Sequence, residues 1–232
     1  MESVLITGSN RGLGLAWAEH FAEAGWRVYA TCRHPEQAEV LQRLAESHRQ
    51  LSVHRLDVTR EEEIAALSAE LTGAAIDLLL NNAGVYFEKY LEQHLERIDY
   101  ARWLQTYNVN TLGPVRLSAA FAPQVARSGR RLIIAISSHM GSIAEIGSPG
   151  DYPYRSSKAA LNAAMKGLSL ELAPRGIAVL LLHPGWVQTR MGGPGAPLSP
   201  AESVAAMRRV IDNFRRGDSG RFYRYDGTII PW

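Results

Sequence analysis

Thr7-Gly8-Ser9-Asn10-Arg11-Gly12-Leu13-Gly14 directly follows the apolar run Val4–Ile6 and leads into a stretch, 12–24, with helical spacing. That order, strand then glycine-rich turn then helix, decides the fold. A dinucleotide pyrophosphate needs main-chain N–H groups at a helix N-terminus, and no side chains where the backbone approaches it. Gly8, Gly12 and Gly14 supply the turn, the close approach and the helix-strand packing, with Ser9, Asn10, Arg11 and Leu13 between and beside them. A lone glycine triplet is often an ordinary loop. Its place between a first strand and a first helix gives it meaning here.

Outward from that turn, short apolar runs alternate with longer helical patterns. The runs are Val4–Ile6, Val28–Thr31, Leu51–Leu56, Ile76–Leu80, Leu132–Ile136 and Ile177–Leu182. They are rich in Val, Ile and Leu without in/out alternation, as strands covered on both faces are. Between them the pattern predicts helices near 12–24, 36–47, 60–72, 99–126 and 154–173, with another over Ala201–Arg216. Phe222–Tyr225 reads as a last strand and Asp226-Gly227 as a turn. The implied fold class is α/β, a doubly wound Rossmann fold: a parallel seven-stranded sheet, order 3-2-1-4-5-6-7, with helices on both faces. Gly/Pro-rich stretches around 147–153 and 192–200 follow predicted strands, so both are expected at the carboxyl edge of the sheet, where such folds bind ligands.

The length of 232 residues fits one domain, 1–232, and leaves no room for a separate substrate domain. A substrate loop at about 185–200 is expected to take that place. Lys+Arg is 25 against 23 Asp+Glu, a net charge of +2 with no broad field for nucleic acid, so no nucleic-acid partner is expected. The basic residues are nearly all Arg; the lysines are Lys89, Lys158 and Lys166. A single cysteine, Cys32, excludes a disulfide framework and any multi-Cys metal site, and no metal is expected. No secretory leader is apparent at Met1-Glu2-Ser3, and no apolar run approaches the roughly 18 residues of a membrane helix. A cytoplasmic protein without a membrane partner is the expectation.

The chemistry concentrates in a few positions. Tyr154 and Lys158 lie four apart, one helical turn, so both side chains share a face. A protonated Lys158 favours the tyrosinate and is expected to bring the phenol down toward neutrality. Such a Tyr can protonate a carbonyl oxygen as hydride arrives, or take the proton back. The fifth strand ends in Ile136-Ser137-Ser138, where a hydroxyl can hydrogen-bond the substrate oxygen. Ser137, Ser138 and Ser142 are the candidates, with Ser137 expected to face structure. At the end of the second strand no acid awaits a ribose hydroxyl. Arg33 and Arg11 offer guanidiniums instead, which suit a 2′-phosphate.

These motifs together resemble the short-chain dehydrogenase/reductase (SDR) family. T-G-x-x-x-G-x-G is its glycine pattern, in place of the T-G-x-x-G-x-x-G of extended epimerases and dehydratases. The resemblance implies roles for further residues. Asn81-Asn82-Ala83-Gly84 matches its N-N-A-G, whose amides stabilise the sheet while Gly84 admits the adenosine. Asp57-Val58 matches the adenine-contacting pair. Asn110 matches the asparagine that holds a water on the proton relay to Lys158. Pro184-Gly185-Trp186-Val187-Gln188-Thr189 matches the segment that holds the nicotinamide carboxamide. The second Ser of the I-S-S run, Ser138, is the catalytic one by that likeness. The catalytic set is then Asn110, Ser138, Tyr154 and Lys158, with Tyr154 and Lys158 also touching the cofactor, and basic Arg11 and Arg33 mark NADP(H). The spacing of 16 from Ser138 to Tyr154 exceeds the family habit, so the loop Gly141–Pro153 is enlarged.

The C-terminal part, from Met191-Gly192-Gly193-Pro194 to Ile229-Ile230-Pro231-Trp232, looks like the C-factor-like/Sniffer-like subgroup, which implies a small NADPH-dependent carbonyl reductase. His139, Met140, Trp186 and Met191 are expected to line its pocket, with Tyr86, Phe87, Glu145 and Tyr152 near, around a small-molecule carbonyl or alcohol. The family pairs the helices near 99–126 and 154–173 across a two-fold axis, implying a homodimer or homotetramer. The terminal apolar residues either cover such an interface or dock on their own domain. The rival reading is a nucleotide-binding signalling or regulatory protein with little turnover.

Overall fold

The computed structural model describes residues 1–89 and 95–232. Seven strands form one sheet: β1 (Ser3–Thr7), β2 (Arg27–Cys32), β3 (Leu51–Arg55), β4 (Leu78–Asn81), β5 (Leu132–Ile136), β6 (Ala178–His183) and β7 (Phe222–Arg224). Their spatial order is β3-β2-β1-β4-β5-β6-β7, all neighbours parallel, as expected from the strand-helix alternation. The helices are α1 (Gly12–Glu23), α2 (Glu39–Ser47), α3 (Glu61–Glu70), α4 (Tyr100–Tyr107), α5 (Gly113–Ala126), α6 (Tyr152–Glu171) and α7 (Pro200–Asn213).

The unbroken apolar strands resolve into two cores. Val4 and Ile6 of β1, with Leu78 and Leu80 of β4 and Leu180 and Leu182 of β6, pack against Trp17 and Phe21 of α1 and Met207 of α7. Leu5, Leu79 and Leu181, the intervening residues, pack against Leu67 of α3, Phe121 of α5 and Leu161 of α6. Side chains do alternate along each strand, but both faces meet helices, so both must be apolar.

Three sequence boundaries shift. Ile76 and Asp77 precede β4 rather than joining it, their N–H groups going to Gln124 and Ser3. Residues 35–37 make a separate short turn before α2. The single helix expected over 99–126 is two helices joined by a wide turn, Asn108–Leu112, of i→i+5 type. Apolar periodicity does not register one widened turn, and such turns gather at functional sites. This one carries Asn110, which is fully buried.

The C-terminus docks on its own domain. Ile230 is buried, the Trp232 ring stacks on Phe222 at 6.0 Å, and the Trp232 carbonyl accepts from Ala144 N–H at 3.0 Å. The long loop after β5 thus leans on the chain end, and Glu145 reaches toward Arg224 at 3.8 Å. No helix among the described residues is long and apolar enough to cross a membrane. No group of three or more His, Cys, Asp or Glu among them is placed to hold a metal.

Candidate active site

The glycine-rich turn sits where β1 meets α1, and its backbone explains its composition. Gly8 and Gly12 have φ of +71° and +55°, values that L side chains rarely adopt. A Cβ on Gly14 would lie 2.1 Å from the Gly8 carbonyl oxygen, so the first turn of α1 closes only with glycine there. Asn82 fixes the turn from the neighbouring strand: its Nδ2 donates to the Thr7 carbonyl at 2.8 Å, and its N–H and that of Ala83 both reach Thr7 Oγ1 at 2.9 Å. Asn81 does not share this work. Both its amide atoms are buried without a hydrogen-bond partner among the described residues, so the expectation that both asparagines brace the sheet narrows to Asn82.

Around the turn the charge is positive. α1 begins at Arg11 without a side-chain cap, and its first turn holds no acid. Partial burial, then Arg190 and Arg33 nearby, push the Arg11 guanidinium below its ordinary value. Three exposed guanidiniums thus converge on one rim, an arrangement that favours a multiply charged anion. Arg190 was not singled out by sequence pattern. Its position one residue after Thr189 was the available signal. Asp57 lies nearby, its Oδ1 accepting from Thr59 N–H at 2.9 Å and Thr59 Oγ1 at 2.7 Å, while Val58 is buried.

Tyr154 and Lys158 stand on the first turns of α6, both buried. Lys158 Nζ donates to the Ile136 carbonyl at 2.8 Å and lies 5.8 Å from the centre of the Tyr154 ring. Ser138, just past the end of β5, lies near enough to the Tyr154 hydroxyl to lower its pKa, and its Oγ accepts from Met140 N–H at 3.2 Å. Ser137 points the other way, to Asn162 Oδ1 at 2.6 Å, as alternation along a strand requires. Asn110 gives both amide hydrogens away, to the Val85 carbonyl at 2.9 Å and Ser157 Oγ at 3.0 Å, while its Oδ1 accepts from Val85 N–H at 2.8 Å. A Cβ on Gly84 would lie 3.4 Å from Asn110 Oδ1 and 3.7 Å from Lys158 Nζ, so this glycine sits beside both.

The electrostatics correct one expectation. Burial pushes the Tyr154 phenol up to about 12; nearby Ser138 lowers it and Glu88 raises it. Burial also brings Lys158 down to about 8. Lys158 does not carry the phenol toward neutrality in this state, because its ammonium is aimed at the Ile136 carbonyl and desolvation disfavours charge on both groups. A phenol kept protonated is suited to giving a proton.

The loop after β6 closes over Tyr154. It is tied to itself by Gln188 N–H on the Leu198 carbonyl at 2.8 Å and Gly193 N–H on the Thr189 carbonyl at 2.8 Å. Gly185, after Pro184, has φ of +82° and lets Leu198 and Tyr225 pack against it. Val187 is buried beneath the loop. Thr189 Oγ1 accepts from Gly192 N–H at 3.0 Å, and its methyl faces Gly12. Met191 lays its sulfur 3.9 Å from the Tyr154 hydroxyl. Trp186 is 56% exposed and donates to the Gly192 carbonyl at 2.7 Å.

The other residues expected at the pocket have these partners and exposures. His139 pairs with buried His183 at 3.2 Å, drawn to the foot of β6, and Glu145 is drawn to Arg224. Phe87 and Tyr152 are each 36% exposed, and Tyr86 takes their place by stacking on Tyr154 at 4.2 Å and 18° and donating to Asp151. Two further residues follow it. The Glu88 carboxylate accepts from Tyr154 N–H at 2.6 Å, and Lys89 donates to the Met191 and Gly192 carbonyls. One segment, Tyr86–Lys89, therefore grips both α6 and the loop that covers it.

A model of the short chain dehydrogenase family matches residues 2–196. The chain belongs to that family. As a short-chain dehydrogenase it is an oxidoreductase, and its relatives bear out the subgroup read from the motifs. C-signal of Myxococcus xanthus is 44% identical over 167 residues, covering 72% of this chain and 99% of that protein. The carbonyl reductase Sniffer of D. melanogaster is 35% identical with a TM-score of 0.93, all of both chains covered. An NADPH-bound carbonyl reductase from chicken fatty liver gives the same identity and TM-score, covering 100% of this chain and 99% of that one.

Proposed function

We propose that this short-chain dehydrogenase is a single-domain NADPH-dependent reductase of small aldehydes or ketones. The observation that carries the reading is the buried meeting of Ser138, Tyr154 and Lys158 under the loop that bears Met191. Gly8, Gly12 and Gly14 leave a cradle a side chain would fill, and Arg11, Arg33 and Arg190 supply cations for a phosphate, so the residues present fit NADP(H). Ser9, Asn10 and Leu13 of the turn, Asp57 and Val58, Asn82, Ala83 and Gly84, and Pro184, Gly185, Val187 and Thr189 complete the proposed binding set. When bound, NADPH supplies the hydride.

In this reading Ser138 donates a hydrogen bond to the substrate carbonyl oxygen, and Tyr154 gives that oxygen its proton. Lys158, protonated below about pH 8, stabilises the tyrosinate left behind. Asn110 has committed both amide hydrogens and one lone pair of its Oδ1 to Val85 and Ser157. A water on the relay can then be held only by the second lone pair of the Asn110 Oδ1 or by main-chain groups of the wide turn. Met191, Met140, Trp186 and Tyr86 give the carbonyl compound apolar and aromatic walls.

The reading is tested by following nicotinamide oxidation across aldehydes, diketones, quinones and ketosteroids, with NADH beside NADPH. Turnover with NADPH and little with NADH is expected. Arg33→Ala is expected to weaken NADPH by about 10- to 100-fold while NADH changes little, the loss of one charge-assisted phosphate contact. No turnover on any compound, or equal use of both nucleotides, speaks against it.

The likeness to C-signal favours a second reading, a nucleotide-binding signalling or regulatory protein with little turnover. The buried catalytic set argues for enzymology, since binding alone has no use for it. Tyr100, Leu104 and Leu112 leave exposed apolar side chains along α4 and the wide turn, which supports a homodimer or homotetramer through these helices. Sedimentation velocity is expected to show a species of at least twice the chain mass, and a lone monomer counts against that assembly. The one cysteine, Cys32, is a buried free thiol, consistent with a reducing cytoplasm.

A further inference from the structure

The helix that presents the catalytic pair starts in an unusual way. α6 opens Tyr152-Pro153-Tyr154, and its first ladder bond is Arg155 N–H to the Asp151 carbonyl at 2.8 Å. Tyr154 N–H therefore has no partner within the helix, as the first N–H groups of any helix do not. The residue placed to cap it, Asp151, makes no capping bond. Its φ of +55° turns it aside, and it accepts from Tyr86 Oη instead. The vacancy is filled from 66 positions away. The Glu88 carboxylate accepts from Tyr154 N–H at 2.6 Å.

We propose that Glu88 is a positioning residue for Tyr154: its carboxylate caps the catalytic turn through the Tyr154 N–H, and its fixed negative charge holds the phenol in the protonated form that reduction consumes. This rests on the reductase reading for its meaning, and on geometry for its existence. Glu88 is 8% exposed. Burial pushes the Glu88 carboxyl up from its ordinary value, and the Tyr154 N–H at the positive end of α6 opposes that rise by favouring the ionised form. Among the described residues, the acidic and phenolic groups it is coupled to are Asp151, Tyr86 and Tyr154. Lys158 is the cation beside Tyr154 on the far side of the ring. Burial does most to keep the phenol protonated, Ser138 works against it, and the Glu88 charge adds to it. Tyr86 holds the Tyr154 ring from beside it, since it stacks on Tyr154 and is tied to Asp151.

Two variants separate the cap from the charge. Glu88→Gln keeps an oxygen for the Tyr154 N–H and removes the charge, whereas Glu88→Ala removes both. The Tyr154 ring is followed by the resonance of its Cζ, ¹³C-labelled and identified by its loss in Tyr154→Phe, across a pH titration with NADP⁺ present. The Tyr154 amide is followed by hydrogen exchange. Glu88→Gln is expected to lower the phenol midpoint by about half a unit to one unit, the effect of removing a charge roughly one side chain away. It should leave amide exchange within about threefold of wild type. Glu88→Ala is expected to lower the midpoint likewise and to speed Tyr154 exchange by about tenfold or more, as an uncapped first-turn N–H does.

If Glu88→Ala does not fold, the midpoint in Glu88→Gln still decides the matter. An unmoved midpoint in Glu88→Gln, or wild-type amide protection in Glu88→Ala, overturns the proposal. Neither measurement needs turnover. A chain that reduces no carbonyl while both shifts appear would sink the function and leave Glu88's place intact.

Discussion

Tyr154→Phe is expected to lose about 10²- to 10⁴-fold in kcat for carbonyl reduction while NADPH still binds within about tenfold of wild type. The change removes one oxygen, and with it the proton that the proposed reduction takes from Tyr154. It leaves a ring of the same size stacked on Tyr86, the Glu88 cap on the main chain and the Lys158 bond to Ile136. Because the hydroxyl's neighbours are Ser138 and the Met191 sulfur, its removal leaves no buried charge and little cost in stability. Steady-state rates beside equilibrium NADPH titration by nicotinamide fluorescence check both halves. A variant that keeps wild-type kcat would remove Tyr154 from the chemistry. A variant that loses kcat but retains the chain's biological role would favour the signalling reading over the enzyme.

The parts of this site that were legible in sequence share a physical property: each is fixed by neighbours close along the chain. Tyr154 and Lys158 meet because a helix repeats every 3.6 residues. Ser138 faces Tyr154 and Ser137 faces Asn162 because a strand alternates. The glycines of residues 8–14 are needed by a turn whose backbone is itself local. The sheet was readable for the same reason, since strands covered on both faces carry Val, Ile and Leu without a gap.

What was not legible depends on contacts far apart in sequence. Nothing in Val85-Tyr86-Phe87-Glu88-Lys89 announces that Glu88 caps Tyr154 or that Lys89 holds the carbonyls of Met191 and Gly192. A hint existed in composition, for Lys89 is one of three lysines and follows an acid in an aromatic run. The wide turn at Asn108–Leu112 was not legible because a one-residue insertion turns the apolar stripe by about 100° at a single point, and over a short stretch that shift cannot be told from ordinary scatter in the pattern. The phenol was misjudged because pairing with Lys158 can be read from spacing, whereas desolvation requires knowing how deeply both are buried.

His183 carries the second large effect. It ends β6, is 5% exposed, and its Nδ1 is buried with no hydrogen-bond partner among the described residues. Its Nε2 meets His139 Nδ1 at 3.2 Å. Burial, then His139 and Arg224, hold its imidazole down to about 3, with Asp226 opposing. The unfolded chain takes up this proton near pH 6.5 and the folded chain does not, so between those values the unfolded state binds more protons. Stability then rises with pH through that window and is lost as pH falls through it. Between pH 7 and pH 4 this one group is expected to cost about 3 kcal/mol, on the order of 1 M in urea midpoint. His183→Gln cannot take up the proton and keeps a polar group near Nε2. Whatever it costs at pH 7, its stability is expected to fall less than wild type on acidification, by that same margin. Urea unfolding of both proteins at pH 7 and pH 4 measures the difference directly. Equal acid losses would mean that His183 titrates normally in the folded chain, that the foot of β6 admits water, and that His139 is free to turn toward the pocket after all.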